Sequence, residues 1–316
     1  TRVLVGDYHY NVLGELVEKN LHSVDNGTSF LQSVDYRYNL QGAMTRINHA
    51  DLSTDTGEND LFGMEYFYET TTDINGQSTT ARYDGMVNAI KYSMTNVTPT
   101  NSPTSGPQGE HIAMGFTYDN RNRLSATAYA TSDPQGTNFN NDVDAFSMSV
   151  GGYDDNGNIQ SLTRKSEGNT IDDLTYNYTS ETNKLSGVSD ASTNKAGLDD
   201  YYTGASDYAY DDMGNMISDM NKQIVAIRYN TMQLAEEIEF GDGTKLQYTY
   251  DMARNRLSKE VVNGDGNSIA RVDYVGVVEY LDGAINQVFT DEGRAYKQNG
   301  QYHYEYFITD HQGNNR

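Results

Sequence analysis

Seven stretches of this chain share one pattern, and the pattern dictates how the backbone can run. A tyrosine, in most copies preceded two places earlier by another aromatic residue, leads into a turn that usually opens on Asp or Asn. A few residues later Gly or Asn stands two places before an aliphatic residue. The stretches are Tyr8-His9-Tyr10-Asn11 to Leu16, Tyr36-Arg37-Tyr38-Asn39 to Met44, Phe116-Thr117-Tyr118-Asp119 to Leu124, Tyr153-Asp154 to Ile159, Tyr176-Asn177-Tyr178 to Leu185, Tyr208-Ala209-Tyr210-Asp211 to Met216, and Tyr248-Thr249-Tyr250-Asp251 to Leu257. Residues i and i+2 share one face of a strand. An Asp or Asn after them accepts bonds from backbone N–H groups just beyond, which starts a turn. Gly and Asn tolerate the positive φ that closes a short hairpin loop through a bulge. The expected turn positions are therefore Gly14, Gly42, Asn122, Gly157, Asn183, Gly214 and Asn255, and the aliphatic residue begins the return strand. In the copies at Tyr178 and Tyr250 one extra residue precedes the Asn, so longer loops are expected there.

The spacing predicts an all-β chain of tandem hairpins. The best helical candidate, Met232 to Phe240, alternates Ile238 and Phe240 into a Gly-Asp-Gly-Thr turn and then Leu246, Tyr248 and Tyr250, which reads as strand, turn, strand. Between Asp51 and Lys91 the periodicity is weak, although Met64 to Tyr68 and Asn88 to Tyr92 fit strands. Polar stretches near 95–112, 131–144 and 190–200 read as flexible loops inserted in one architecture spanning 1–316.

Composition narrows the function classes. With 26 Tyr, 9 Phe and no Trp, tyrosine supplies most of the large packing surface, and 36% hydrophobic residues suit a thin sheet better than a thick core. A net charge of −23 repels nucleic acid and anionic membranes, and no apolar run reaches the length of a membrane helix. Without Cys there is no disulfide, thiolate nucleophile or thiolate-held metal. The chain opens at Thr1 without an initiator Met and stops in mid-pattern at Arg316, which reads as an internal piece of a longer protein.

Candidate chemistry is sparse. The pairs Asp154-Asp155, Asp172-Asp173, Asp199-Asp200, Asp211-Asp212 and Glu236-Glu237 lie largely in expected turns, and adjacent strand residues face opposite ways, a poor arrangement for paired acid–base work. Asp154 to Asn158 and Asp265-Gly266-Asn267 resemble pieces of a calcium loop but lack its spacing. None of the 6 His forms a close pair on one element. The Asp310-His311 step reads as a turn. No catalytic, cofactor-binding or metal-binding residue is expected, and the chain is expected not to be an enzyme.

The motifs carry a resemblance. Phe30 to Asn39, Tyr118 to Leu124, Tyr210 to Met216, Tyr250 to Leu257 and the terminal Tyr304-Glu305-Tyr306 with Asp310-His311-Gln312-Gly313-Asn314-Asn315-Arg316 look like YD-repeat (RHS-repeat) proteins. That group includes bacterial polymorphic toxins, insecticidal toxin-complex shells and teneurins. The terminal stretch is similar to the segment near the start of the family's RHS-associated core. The resemblance implies hairpins joined edge to edge in a curved, spiralling antiparallel sheet, as a partial shell or barrel, around a C-terminal effector. That effector, held in cis, and delivery machinery would be the partners of a secreted or cell-surface bacterial protein. The family's autoproteolytic core lies beyond Arg316, so no catalytic residue carries over. A second reading is an adhesion module whose exposed tyrosines stack on glycans.

Overall fold

The computed structural model describes residues 2–52, 60–74, 77–94, 111–132, 138–202, 204 and 206–315. Among these, every regular element is a strand. The strands form two large antiparallel sheets, of 13 and 11 strands, and a two-stranded ribbon, and neither large sheet closes into a barrel. The alternating aromatic and β-branched segments thus become strands, and the Asx-Gly clusters become the connections between them.

Two compact units divide the chain. The first comprises Thr1–Gly152, Leu162–Ile171 and Tyr306–Arg316. Its strands pair in chain order from Leu4–Tyr10 through Leu16–Ser23, Gln32–Tyr38 and Met44–Ile47 to Phe62–Phe67, and then to Ala89–Met94, His111–Tyr118, Leu124–Ser132 and Met148–Tyr153. Phe139–Asn141 pairs on Leu124–Ser132 off this path, and the ribbon Asp73–Ile74 with Gln77–Ser78 forms a ladder of its own. The apolar face shows the strand period of two. In Gln32–Tyr38 the alternate residues Val34 and Tyr36 are buried, and they join Leu21, Ile47, Phe62, Met64 and Tyr66 in one core. Ile308 of the terminal segment completes that core. A second cluster gathers Ile74, Ala113, Ala130 and Phe139.

Buried Asn48 stitches three strands of this unit. Its Oδ1 accepts the Asp35 N–H at 2.6 Å and its Nδ2 donates to the Phe62 carbonyl at 2.8 Å. A buried amide that is satisfied on both sides in this way avoids the cost of an unpaired polar group.

The second unit comprises Tyr153–Ser161 and Asp172–Glu305. Asn169–Tyr178 pairs with Leu185–Asp190, and eleven strands from Tyr208–Tyr210 to Gln301–Tyr306 pair neighbour to neighbour in chain order. Burial there is partial: Leu174, Val188 and Val262 are its buried apolar side chains among the described residues. Residues expected to read as strand, turn, strand do so, with Ala235–Phe240 and Lys245–Tyr250 joined at Gly243, φ +84°. Of the expected loops, 190–200 holds no strand beyond Asp190, the short strand Phe139–Asn141 lies within 131–144, and residues 95–110 and 133–137 lie outside the described residues.

Candidate functional site

The repeated unit is built on an Asx side chain that closes its own turn. Oδ1 of Asp119 accepts the N–H of Arg121 at 2.8 Å and of Arg123 at 2.9 Å, two and four residues on. The same pair of bonds recurs at Asn11, Asn39, Asp154, Asp211, Asn230, Asn263 and Asp310. The backbone closes around it, since the N–H of the third residue returns to the Asx carbonyl, as Gly214 does to Asp211 at 3.0 Å. In the Asp copies the fourth residue also clamps the carboxylate. Asn158, Asn215, Asn255 and Asn314 donate Nδ2 to Oδ2 of Asp154, Asp211, Asp251 and Asp310 at 2.8–3.0 Å. Bonds from that fourth residue hold the carboxyls of Asp119, Asp154, Asp211 and Asp251 below the usual carboxylate range, because they favour the charged form.

This geometry places the left-handed residue three positions after the Asx. Gly14, Gly42, Asn122, Gly157 and Gly214 occupy it, with φ between +61° and +90°. Two expected positions are corrected. At Asp251 the third residue is Arg254, φ +69°, and Asn255 is the carboxylate clamp. That turn is no longer than the others, since Tyr250 pairs with Arg256 as Tyr210 does with Met216, six residues on. Counting back from Leu257 misplaced the bend, because the turn is set by the Asx and not by the next aliphatic residue. After Tyr178 no Asx follows. There the loop is one residue longer, Tyr178 pairing with Leu185, and positive φ falls on Glu181 in place of Asn183. Asn183 instead accepts Asn158 Nδ2 from the neighbouring turn at 3.0 Å.

In five of the seven repeats the tyrosine before the turn does more than pack. Its hydroxyl donates to the backbone carbonyl that starts the return strand of an earlier hairpin. Tyr38 reaches Leu16 at 2.9 Å, Tyr178 reaches Ile159 at 2.9 Å, Tyr210 reaches Leu185 at 3.0 Å and Tyr250 reaches Ala235 at 2.9 Å. Tyr118 makes the equivalent bond to Val87 at 2.7 Å. Two further tethers come from residues outside the expected set: Tyr68 to Met44 at 2.8 Å and Tyr229 to Met216 at 2.7 Å. Tyr229-Asn230 is a Tyr-Asx step that the pattern carried, but Gln233 stands where Gly or Asn was sought, with φ +60°. Burial raises the hydroxyls of Tyr38, Tyr68, Tyr118, Tyr178, Tyr210 and Tyr229 above the usual tyrosine value, so they stay protonated donors.

The other repeat aromatics differ in burial. Tyr36 is buried in the first core, and Phe116, Tyr153, Tyr176, Tyr208 and Tyr248 are half-buried, while Tyr8 and Tyr10 in the first hairpin are exposed. The terminal segment returns to the first unit through the same turn. Asp310 caps residues 312 and 314, Gly313 has φ +81°, His311 lies edge-on to Tyr66 with ring centroids 4.5 Å apart, and the Tyr306 hydroxyl meets His22 Nδ1 at 2.9 Å. Among the described residues no three His, Asp or Glu side chains gather as a metal site.

No family model and no curated protein matches the sequence. Solved structures do. A crystal structure of TcdB2-TccC3-TEV is 15% identical and matches over 98% of this chain and 16% of that one, with a TM-score of 0.47. A crystal structure of TcdB2-TccC3 without its hypervariable C-terminal region is 13% identical over 98% of this chain and 16% of that one, at a TM-score of 0.35. A Tc holotoxin pore of Photorhabdus luminescens is 12% identical over 90% and 14%, at 0.27. This chain spans about one sixth of the length of the first of these, 16%.

Proposed function

We propose that this chain is a wall segment of a β-sheet shell, one that encloses an effector domain carried farther along the same polypeptide of a secreted bacterial toxin. The observation that supports the reading is the tether ladder. A hairpin is fastened to an earlier one by a single kind of bond, tyrosine hydroxyl to return-strand carbonyl, repeated at residues 38, 68, 118, 178, 210, 229 and 250. A rule of this kind lets a sheet grow hairpin by hairpin, which is what a wall requires.

The motif likeness to YD-repeat proteins supplies the rest: the enclosed effector, the delivery machinery as partner, and an extracellular destination. In this reading the chain performs containment and no catalytic step. The polar groups that the repeat supplies are spent on the fold. The Asx carboxylates hold their own turns and the tethering hydroxyls hold backbone carbonyls. Electron cryo-microscopy of the whole protein that contains this segment tests the proposal. A hollow particle with these hairpins in its wall is expected, and a solid globule would refute it. Glycan binding lost on replacing exposed Tyr10 or Tyr302 by Ala would favour the adhesion reading instead.

A further inference from the structure

On the face of the first unit's sheet opposite its main core lies a row of charged side chains. Register sets it. Tyr36 pairs with Ile47 and Ile47 with Met64, all in the core. Their neighbours Arg37, Arg46 and Glu65 pair with one another, and side chains one residue along point to the other face. Lys91 continues the row opposite Glu65. In a chain of net charge −23 this is a local concentration of cations.

The members of the row differ in what they already hold. Arg37 donates Nη1 to the Tyr36 carbonyl at 3.0 Å and lies 3.7 Å from Asp35 Oδ1. Lys91 sits over the rings of Phe67 and Phe139, at 5.5 and 4.7 Å from their centroids. Arg46 holds nothing among the described residues. Its Nε is buried with no hydrogen-bond partner, and no carboxylate forms an ion pair with it, although Glu65 is its cross-strand neighbour. A buried donor left unpaired is expensive, and native structures seldom carry one without cause. Arg37, Thr45, Arg46, Glu65 and Phe67 line an open groove of about 410 Å³ at this place.

We propose that this groove binds a single carboxylate group carried on an apolar body. A carboxylate offers two coplanar oxygens to a guanidinium fork, and Arg46, aided by Arg37, supplies that fork. Glu65 in the same groove sets the charge that fits: it offsets one of the two guanidiniums, so one negative charge is balanced and the second charge of a dianion such as phosphate is not. Phe67 gives the apolar body a wall. The carboxylate belongs to a free organic acid or to the end of a peptide.

Ligand-observed NMR titration of the full chain tests this with four probes: benzoate, its neutral analogue benzamide, N-acetylphenylalanine and inorganic phosphate. Saturable benzoate binding is expected, weakened by at least about tenfold for benzamide and for Arg46→Gln, the scale of a lost charge-assisted bond. Arg37→Gln should weaken it less, because Arg37 is partly spent on Tyr36 and Asp35. Tighter binding of N-acetylphenylalanine than of benzoate assigns the carboxylate to a peptide end, and the reverse order to a free acid. Benzoate binding that survives Arg46→Gln unchanged, phosphate binding as tight as benzoate, or no benzoate binding overturns the proposal. Should Arg46→Gln fail to fold, the benzoate-to-benzamide ratio decides.

Discussion

Replacing Tyr210 by Phe isolates one tether. The change removes a single oxygen, the one that donates to the Leu185 carbonyl at 3.0 Å, and leaves the half-buried ring in place. Water takes over part of what is lost, so the net cost is that of an ordinary intramolecular hydrogen bond, about 1 kcal/mol. Tyr208 on the same strand provides the control. It is also half-buried, but its hydroxyl has no hydrogen-bond partner among the described residues, and burial together with Asp219 and Asp207 pushes it up to about 12. Tyr208→Phe should therefore cost little. A sheet of this kind opens locally, so native-state hydrogen exchange is the suitable assay, read on amides of Leu185–Asp190. Protection there should fall by about fivefold in Tyr210→Phe, the factor that corresponds to 1 kcal/mol. Equal losses in the two variants, or none in Tyr210→Phe, would refute the idea that the hydroxyl fastens one hairpin to another.

Three further outcomes are expected. Arg254→Gly should stabilise the turn after Tyr250 by up to about 1 kcal/mol, because φ is +69° there, whereas Asn255→Gly should weaken it by removing the Asp251 clamp; denaturant melts of the two variants compare them. Asp211 has its carboxyl lowered in the fold, so its contribution is present above the unfolded carboxylate value, near pH 4, and is lost as pH falls through the folded one. Asp211→Asn should abolish that acid dependence in its own hairpin, which exchange measured across pH 2–5 would detect. Ile308→Ala should destabilise the first unit by about 2–4 kcal/mol by opening a cavity, while Ile285→Ala, at an exposed site, should stay within about 0.5 kcal/mol; a circular-dichroism melt that treats both alike would count against the docked terminal segment.

The hairpins were legible in the sequence because their determinants are local. An Asx, a Gly three places on and a flanking tyrosine lie within a few residues of one another, as in Tyr210 to Met216. Where the local signal thinned, the reading slipped. Arg254 carries positive φ without looking like a turn residue, and Asn255 drew attention as a turn residue while serving as a clamp. The tethers were not legible at all. The partner of Tyr118 is a carbonyl 31 residues away, and a carbonyl leaves no trace in residue identity. The same holds for Arg46, whose isolation depends on which strands flank it, and for the terminal segment, whose His311 meets Tyr66 across 245 positions.

That last contact bears on the order in which the molecule can be made. The first core contains Leu21, Phe62 and Tyr66, yet it is sealed by Ile308. Roughly 240 residues must leave the ribosome between the two, which at ordinary translation speeds takes roughly 10–50 s. Throughout that interval the core of Leu21, Val34, Ile47, Phe62 and Met64 lacks the side chain of Ile308. A segment made late thus completes a core whose other members are made long before it.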